Sequence, residues 1–336
     1  MNISGSTTTA LLVEDESQVG HARRVAQALA QQLDFADGDA GRVALVTTEL
    51  ATNLLKHAGH GVLHLRATPG QTGIGIELIA VDRGPGFDPS ECIADGYSTG
   101  GTQGTGLGAL IRQSQVFDIH SDNRGSVVLA QLYPRHVSPP PLLFGVSQHS
   151  LNDDPSCGDV WHLAFDGSRI SALVIDGIGH GEEAERAGLA GAAVFATAPF
   201  IEPATSLVEM HQAMNGTRGG AAAVSLYDTS VGKLRFAGVG NIGGALINAE
   251  KSRGLASHPG IVGSQFRKAV AFDYPVDGRQ LLIMYSDGLQ SRWDLRDYPG
   301  LVHRHPAIIA ALLHRDFCRG RDDVTVMVIA LEEIGD

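Results

Sequence analysis

Hydrophobic residues recur every three to four positions in two stretches near the start of the chain, residues 19–33 and 39–57. This period places them on one face of a helix and predicts two amphipathic helices. Ser17 is a suitable N-cap for the first helix, and Gly59 and Gly61 are suitable terminators of the second. The period then changes to two, which predicts strands over 61–67, 75–81, 117–121 and 125–132, with a short helix over 107–114. Helices and strands without βαβ alternation predict an α+β unit.

Residues 134–141 separate two parts of the chain that differ in pattern. Four of these eight residues are proline, which favours an extended, semi-rigid linker. The part that follows is dominated by strand-like segments at 142–149, 159–165, 169–175, 221–227, 233–239, 244–248, 280–286 and 324–331, with helical segments at 182–195, 204–214 and 306–314. This order predicts a β-sandwich faced with helices. Because 336 residues also favour two domains, we predict domains at 1–134 and 142–336 joined by a linker at 135–141.

The composition narrows the classes of function. A net charge of −12, shared by both halves of the chain, argues against binding to nucleic-acid phosphates. The three cysteines lie far apart and form no CxxC pair, which favours a reducing compartment over a disulfide-stabilised fold. The N-terminus lacks the pattern of a signal peptide, and no apolar run approaches the roughly 20 residues that span a bilayer. We therefore expect a cytoplasmic protein that binds neither nucleic acid nor membrane.

A glycine-rich stretch at residues 96–110 is the first candidate for chemistry, with the sequence GYSTGGTQGTGLGAL. A helix that starts after such a loop presents free backbone N–H groups, which suit phosphate. No lysine follows in P-loop spacing, so that motif is excluded. The segment 104–109 matches the spacing of a dinucleotide-binding loop, but no buried strand precedes it, which disfavours a nicotinamide enzyme. By itself the stretch is equally consistent with a flexible surface loop.

Two groups of polar residues precede this stretch. Glu49 and Asn53 are four positions apart and share one face of the second helix. Phosphoryl transfer requires a carboxylate beside the nucleophile and an oxygen ligand for Mg²⁺, although such a pair also occurs on ordinary solvated helix faces. Asp82 ends an apolar strand and is followed by Gly84 and Gly86. An aspartate there is typical of a turn, but a buried carboxylate could also accept a hydrogen bond from an exocyclic amine.

The order of three motifs, TELATNLLKHA, VDRGPGF and TGGTQGTGLGAL, resembles the N, G1 and G2 boxes of the GHKL ATPase/kinase superfamily. Within it, the motifs are similar to the RsbW/RsbT-type serine kinases of bacterial partner switching. The resemblance implies a Bergerat-type α/β sandwich that binds ATP and Mg²⁺. It also implies that Glu49 is the catalytic carboxylate, that Asn53 is the Mg²⁺ ligand and that Asp82 reads the adenine amino group. The implied phosphate contact and the residues shaping the pocket and lid are Lys56, Gly84, Gly86, Thr99, Gly104, Gly106 and Gly108.

Acidic residues stand at strand ends or in glycine turns of the second part, in SCGDVW, VIDGIGHG, MYSDGL and GRDDVTV. Each alone is typical of a turn. In this order they resemble the PPM/SpoIIE-type metal-dependent phosphatases, and the segment at 216–228 is similar to the RsbX-like branch. The resemblance implies a PPM-type αββα sandwich that binds two divalent ions, Mn²⁺ or Mg²⁺.

The resemblance also assigns roles to these residues. Asp176 is implied as the bridging ligand, with the Gly177 carbonyl on the first metal. Asp287 and Asp322 hold the second metal, and Asp159 acts through water or orients a ligand. Asp323 is the alternative to Asp322. Cys157 and His162 depart from the family's first motif, which leaves the roles of Asp159 and His162 open.

Together the two resemblances predict a kinase and an opposing phosphatase in one chain. We expect both to act on the serine or threonine of a STAS-domain partner, an anti-anti-sigma or stressosome-like protein. The alternative is a SpoIIE-type phosphatase whose first domain is a nucleotide-dependent binding module that sequesters a STAS protein or a sigma factor without kinase activity.

Overall fold

The computed structural model describes residues 1–5, 7–88 and 106–331. The chain forms two compact units. The N-terminal unit consists of Thr8–Pro141 and Tyr298–Leu312, and the C-terminal unit consists of Met1–Thr7, Leu142–Asp297 and Leu313–Asp336. These units differ from the predicted contiguous domains in two places, because the first residues of the chain add a strand to a sheet of the C-terminal unit and residues 298–312 pack within the N-terminal unit.

The N-terminal unit is a five-stranded antiparallel sheet with helices on one face. The sheet order is β2-β3-β4-β6-β5. Its strands are β2 (Thr9–Val13), β3 (Gly61–Pro69), β4 (Ile74–Val81), β5 (Val116–Asp122) and β6 (Gly125–Leu132), and its helices are α1 (Glu16–Gln32), α2 (Asp37–Asn53) and α3 (Gly106–Gln113). Apolar residues from all three helices and all five strands form one core, which is what the predicted helical and alternating patterns require.

Asp15 caps α1, so the predicted cap at Ser17 is wrong. The Asp15 carboxylate accepts hydrogen bonds from the backbone N–H groups of Ser17 and Gln18, at 2.8 and 3.2 Å. The Gln18 side chain accepts in return from the backbone N–H of Asp15, at 3.1 Å, which completes a capping box. The carboxylate satisfies two N–H groups that lack partners within the helix, whereas Ser17 already lies inside it.

The other face of this sheet carries a buried polar network. Arg66 on β3 and Glu77 on β4 form an ion pair of 2.6 Å, with 3% and 1% of their side chains exposed. The Gln131 amide donates a second hydrogen bond to Glu77, at 2.7 Å. The segment Tyr298–Leu312 reaches this face through Asp118 on β5, whose carboxylate accepts from the backbone N–H of His305 at 2.6 Å. Alternation along the strands therefore separates an apolar face from a charged one.

We expect Glu77→Ala to lower the free energy of unfolding of the N-terminal unit by about 3 kcal/mol, because it removes the buried carboxylate that forms the ion pair with the Arg66 guanidinium. Urea unfolding followed by circular dichroism measures this loss; fluorescence is unsuitable because both tryptophans, Trp161 and Trp293, belong to the other unit. Glu183→Ala is the control, since its ion pair with Arg186 is 49–59% exposed and is worth less than about 1 kcal/mol. Equal losses in the two variants would contradict the prediction.

The C-terminal unit is a sandwich of two antiparallel sheets. The six-stranded sheet has the order β1-β8-β9-β10-β11-β14 and the five-stranded sheet the order β13-β12-β15-β16-β7. The strands are β1 (Asn2–Ser4), β7 (Phe144–His149), β8 (Asp159–Phe165), β9 (Arg169–Gly177), β10 (Gly220–Asp228), β11 (Lys233–Val239), β12 (Gly243–Ile247), β13 (Ser252–Gly254), β14 (Phe272–Pro275), β15 (Gln280–Tyr285) and β16 (Val324–Leu331). Apolar residues of both sheets form one core between them.

Helices α4 (Glu182–Thr197) and α5 (Pro203–Ala213) cover the outer face of the six-stranded sheet through a second apolar core. A further helix, α6 (Pro306–Phe317), has its residues up to Leu312 in the N-terminal unit and its last residues in this one. The predicted α+β class, with a helix-backed sheet followed by a β-sandwich faced with helices, is confirmed. No helix in the described ranges is long and apolar enough to cross a bilayer.

Candidate active sites

The end of α2 carries the polar residues expected at a nucleotide site. Glu49 and Asn53 are one helical turn apart and partly exposed, and neither side chain forms a hydrogen bond or ion pair with another described residue. At Asn53 the α-helical pattern ends, and the chain continues as a π-helical turn, Leu54–Ala58, on which Lys56 is exposed. Short π-helical turns of this kind are frequent at functional sites. The helix therefore presents a carboxylate, an amide and an ammonium group along its last two turns.

Asp82 is held at the end of β4 by two backbone groups. Its Oδ1 atom accepts hydrogen bonds from the N–H groups of Gly84 and Ser126, at 2.8 and 3.1 Å. The first of these is the turn contact that the sequence allowed, and the second ties the carboxylate to the neighbouring strand β6. The Asp82 side chain is thus fixed in orientation, as recognition of a single amine by a hydrogen bond requires.

The two glycines after Asp82 bring its turn against other parts of the site. A Cβ atom on Gly84 would lie 2.8 Å from the Cβ of Ala58, so this glycine lets the turn pack on the π-helical segment. Gly86 has a φ of +71°, and a Cβ atom there would lie 2.0 Å from the carbonyl oxygen of Asp122. The close approach at Gly84 places the Asp82 turn beside the end of the helix that carries Asn53 and Lys56.

The predicted lid is only partly described. Thr99 and Gly104 lie outside the described residues. Gly106 is the first residue of α3, Gly108 lies in its first turn, and Leu110 of the same helix is buried in the core. The glycine-rich stretch therefore leads into the N-terminus of a helix that is anchored in the core, as the pattern predicted.

In the C-terminal unit, four aspartates come together from both sheets. Asp159 and Asp176 are directly paired residues of β8 and β9. Asp287 follows β15 and Asp322 precedes β16, which are adjacent strands of the other sheet. Burial, followed by the negative charges of Asp287 and Asp322, raises the pKa of Asp176 to about 7. A sandwich with both sheets ending at the same edge thus collects carboxylates that are far apart in the chain.

The chemistry of this group fits divalent cations. Burial and the charge of Asp287 also raise the pKa of Asp322, because these carboxylates lie close enough to repel one another. Divalent cations, which prefer oxygen ligands, would offset that repulsion when bound by these carboxylates. The Asp287 carboxylate is already oriented, since its Oδ2 atom accepts a hydrogen bond from the Asn241 amide at 2.7 Å.

Asp322 and Asp323 have different environments, which supports Asp322 as the ligand. Asp323 is buried, and both of its oxygens are committed: Oδ1 accepts from the backbone N–H of Leu151 at 2.7 Å, and Oδ2 accepts from that of Gly158 at 2.6 Å. Its carboxylate therefore connects two loops of the unit. The Asp322 side chain remains partly exposed beside Asp287.

Asp159 lies behind the other carboxylates. It is 2% exposed, and its Oδ2 atom accepts a hydrogen bond from the Ser286 hydroxyl at 2.6 Å. The Ser286 hydroxyl accepts in turn from the backbone N–H of Thr325, at 2.9 Å. Ser286 directly precedes Asp287, so this arrangement connects Asp159 to the loop that carries the proposed ligand. These contacts support a positioning role for Asp159.

Two glycines and an arginine complete the edge of this site. A Cβ atom on Gly177 would lie 2.3 Å from the carbonyl oxygen of Ala184, so only glycine permits α4 to approach the loop. The Nη1 atom of Arg218 lies 3.2 Å from the position of a Cβ atom on Gly179, two residues after Gly177. Sequence reasoning missed Arg218, Asn241 and Ser286. Ser286 is adjacent to Asp287 and Arg218 lies in the segment 216–228, whereas Asn241 stands in none of the motifs.

His162 does not belong to the carboxylate group. Side chains alternate along β8, so Asp159 and Trp161 face the space between the sheets and His162 faces the helices. Its ring lies 5.2 Å from that of Phe195 on α4, and its Nε2 atom is hydrogen-bonded to the Asn2 side chain on β1. The residue that departs from the family motif is therefore a packing residue.

His162 predicts a loss of stability in acid. Burial lowers the pKa of its imidazole to about 4, from 6.5 in the unfolded chain. The unfolded state therefore takes up a proton that the folded state does not, so the contribution is complete above pH 6.5 and is lost as the pH falls towards 4. We expect the C-terminal unit to lose roughly 2 kcal/mol more stability between pH 7 and 5 than the His162→Phe variant does. Urea unfolding followed by tryptophan fluorescence measures this difference; identical pH profiles would contradict the prediction.

Comparison with known proteins identifies the family of the N-terminal unit and the fold of the C-terminal unit. Residues 12–132 match the family model of the histidine kinase-like ATPase domain. Over 101 residues, which are 30% of this chain and 76% of the relative, the chain is 33% identical to the serine/threonine-protein kinase RsbT of Bacillus subtilis. The identity of 33% over about three quarters of the relative's length places the N-terminal unit in the family of that kinase.

Several solved structures match more than half of the chain, and two of them illustrate the similarity. One is a structure from work on the bacterial stressosome, a modular system that has been adapted to control secondary messenger signalling. The two chains are 26% identical, the match covers 56% of this chain and 98% of the other, and the TM-score is 0.53. The other is RsbX in complex with magnesium, 19% identical over 58% of this chain and 98% of that one, with a TM-score of 0.52. The N-terminal unit is less than half of the chain, so these matches necessarily include the C-terminal unit. The chain therefore belongs to the RsbT family of histidine kinase-like ATPase domains, and it joins such a domain to a unit with the fold of RsbX.

Proposed function

We propose that this chain is a bifunctional protein kinase and phosphatase that sets the phosphorylation state of a serine or threonine on a STAS-domain partner. The observation that carries the proposal is the joining of an RsbT-family unit to an RsbX-type fold that gathers four aspartates at one edge. The kinase would add a phosphate group to the partner, and the phosphatase would remove the same group. A regulator of partner switching built in this way needs no second polypeptide for the reverse reaction.

In the kinase reaction, Glu49 would orient and deprotonate the attacking hydroxyl of the partner. Asp82, whose carboxylate is fixed by two backbone N–H groups, would accept a hydrogen bond from the adenine amino group. Asn53 would hold Mg²⁺, which supplies positive charge at the phosphates of ATP. Lys56, on the exposed side of the π-helical turn, would contact a phosphate. The glycine-rich stretch, including Thr99, Gly104, Gly106 and Gly108, would cover the nucleotide.

In the phosphatase reaction, Asp176, the Gly177 carbonyl, Asp287 and Asp322 would hold two divalent ions, Mn²⁺ or Mg²⁺. When bound, these ions supply the Lewis acidity that hydrolysis of a phosphoester needs. Asp159 keeps the ligand loop in place through Ser286, and Asn241 keeps the Asp287 carboxylate in place. The Arg218 guanidinium, which lies over the same loop, would bind the phosphate oxygens of the substrate.

The proposal is tested with purified full-length protein and a STAS-domain protein encoded beside it. With radiolabelled ATP and Mg²⁺, the partner should become labelled on serine or threonine. After ATP is removed and Mn²⁺ is added, the label should be released as phosphate. Failure of both steps with every co-encoded STAS protein would contradict the proposal.

The same experiment separates the kinase from a binding module. If the wild-type protein retains its STAS partner or a sigma factor in a nucleotide-dependent manner but never labels it, the N-terminal unit sequesters its partner and only the C-terminal unit is an enzyme. No described residue donates a hydrogen bond to the Glu49 carboxylate, which supports the kinase because the carboxylate is available for a substrate hydroxyl.

A further inference from the structure

An open surface cavity of about 420 Å³ in the C-terminal unit is lined by five polar residues. These are Gln290, Ser291, Arg292, Arg319 and Arg321. They belong to the loop after β15 and the loop before β16, which are joined by backbone hydrogen bonds. The Gln290 N–H donates to the Phe317 carbonyl and the Arg319 N–H to the Gly288 carbonyl, both at 2.9 Å. The cavity is therefore built from two connected loops.

The charge of this cavity is unbalanced. Arg292, Arg319 and Arg321 are exposed, and none lies within ion-pair distance of a carboxylate among the described residues. Other arginines of the same unit are paired, such as Arg296 with Asp294 at 2.5 Å and Arg315 with Asp316 at 2.8 Å. Three guanidinium groups around one cavity repel one another and attract an anion. The chain has a net charge of −12, so this group of three arginines is a local region of positive charge that favours binding of an anionic ligand.

The cavity lies next to the proposed phosphatase site along both loops. Asp287 is three residues before Gln290, and Asp322 directly follows Arg321. Three residues of chain span at most about 11 Å, so the Cα atoms of Asp287 and Gln290 lie within that distance. An extended peptide advances about 3.3 Å per residue. A peptide whose phosphorylated residue occupies the carboxylate site can thus reach the cavity with a residue two to four positions away.

We propose that this cavity binds acidic side chains that flank the phosphorylated serine or threonine of the protein substrate. The inference rests on the proposed phosphatase function and specifies its substrate as a phosphoprotein with carboxylates near the modified residue. Arginine binds carboxylates through two parallel hydrogen bonds, and Gln290 and Ser291 add neutral donors. The cavity would thereby bind the protein substrate while the aspartates and their ions act on the phosphate.

The test compares phosphoserine peptides that differ only at the positions two to four residues on either side of the phosphate. One series carries glutamate there and the other glutamine, and full-length protein with Mn²⁺ is used throughout. We expect kcat/KM to be about tenfold higher for the glutamate peptide on one side, as expected for two or three exposed ion pairs. The advantage should shrink as NaCl is raised, because salt screens exposed charges.

The double variant Arg292→Glu/Arg319→Glu should reduce the ratio of the two kcat/KM values to one or below, since two attracting charges are replaced by repelling ones. Arg253→Glu is the matched control, because it makes the same change at an exposed arginine on β13 and should retain the ratio. Circular dichroism checks the fold of each variant. A ratio near one in the wild type, or a ratio unchanged in the double variant, overturns the inference.

Two further measurements separate this inference from others. Hydrolysis of p-nitrophenyl phosphate has no flanking residues, so its absence with Mn²⁺ counts against the phosphatase function itself. In that case fluorescence anisotropy of a labelled, unphosphorylated glutamate peptide still tests the cavity, with binding expected in the wild type and lost in the double variant. A peptide with a second phosphoserine that is preferred over glutamate by more than about tenfold would assign the cavity to phosphate instead of carboxylate.

Discussion

Asp287→Asn is expected to lower the phosphatase activity by roughly 1,000-fold or more, which corresponds to about 4 kcal/mol of transition-state stabilisation. The change removes one negative charge from a group in which Asp176, Asp287 and Asp322 repel one another. An amide at this position would bind a divalent ion much more weakly than the carboxylate does, and the group would lose the ligand that Asn241 orients. Removal of divalent ions with EDTA should have the same effect on the wild-type protein.

The measurement is the release of p-nitrophenol or labelled phosphate at increasing Mn²⁺ concentrations. Asp273→Asn is the control, because it removes an equivalent charge from the exposed ion pairs with Lys233 and Arg235 on the edge of the same unit. Kinase activity should survive in both variants. Activity within tenfold of the wild type at saturating Mn²⁺ would show that Asp287 is not a ligand.

Asn53→Ala is expected to lower labelling of the partner by at least about 100-fold, because it removes the oxygen ligand proposed for Mg²⁺. Asn53 is the last residue of α2 and is partly exposed, so the substitution creates no cavity in the core and should leave the fold intact. Gln31→Ala is the control: it removes an amide from an exposed position of α1. Phosphatase activity should be unchanged in both variants.

Glu49→Gln refines this second prediction. The substitution preserves the shape of the side chain and removes only its ability to accept a proton, so nucleotide binding should persist while labelling is lost. A fluorescent ATP analogue measures binding, and transfer of radiolabel measures the reaction. Normal labelling by either variant would exclude the proposed roles, and loss of nucleotide binding in Glu49→Gln would assign Glu49 to binding instead of catalysis.

The strands that sequence reasoning missed share one property. β1, β2, β13 and β14 all lie at the edges of their sheets. An edge strand is short and has one neighbour, so it buries few side chains and carries little of the apolar alternation by which strands are recognised. All three residues of β13, for instance, are exposed. The central strands were predicted closely, and β6, β8, β11 and β16 have the predicted bounds.

The candidate sites also contain features that local sequence predicts and features that it does not. The order of the motifs predicts Glu49, Asn53 and Asp82 as site residues in one unit and the aspartates in the other, because local patterns at strand and helix ends can be read from the sequence. The cavity formed by Arg292, Arg319 and Arg321 could not be predicted, since the two loops that form it are separated by about thirty residues of chain and are brought together by the pairing of β15 with β16 and by backbone hydrogen bonds between the loops.

The sequence by itself determined the class of each unit, the strands and helices with one buried face, and the candidate residues of both sites. These features are encoded by period and by short motifs, which need no knowledge of distant contacts. Tertiary structure alone decided that Asp323 holds two loops while Asp322 remains available, that His162 faces the helices, and that residues 298–312 pack within the N-terminal unit. Each of these features depends on contacts between residues that are far apart in the chain. Such contacts leave no local pattern in the sequence and are visible only in the folded structure.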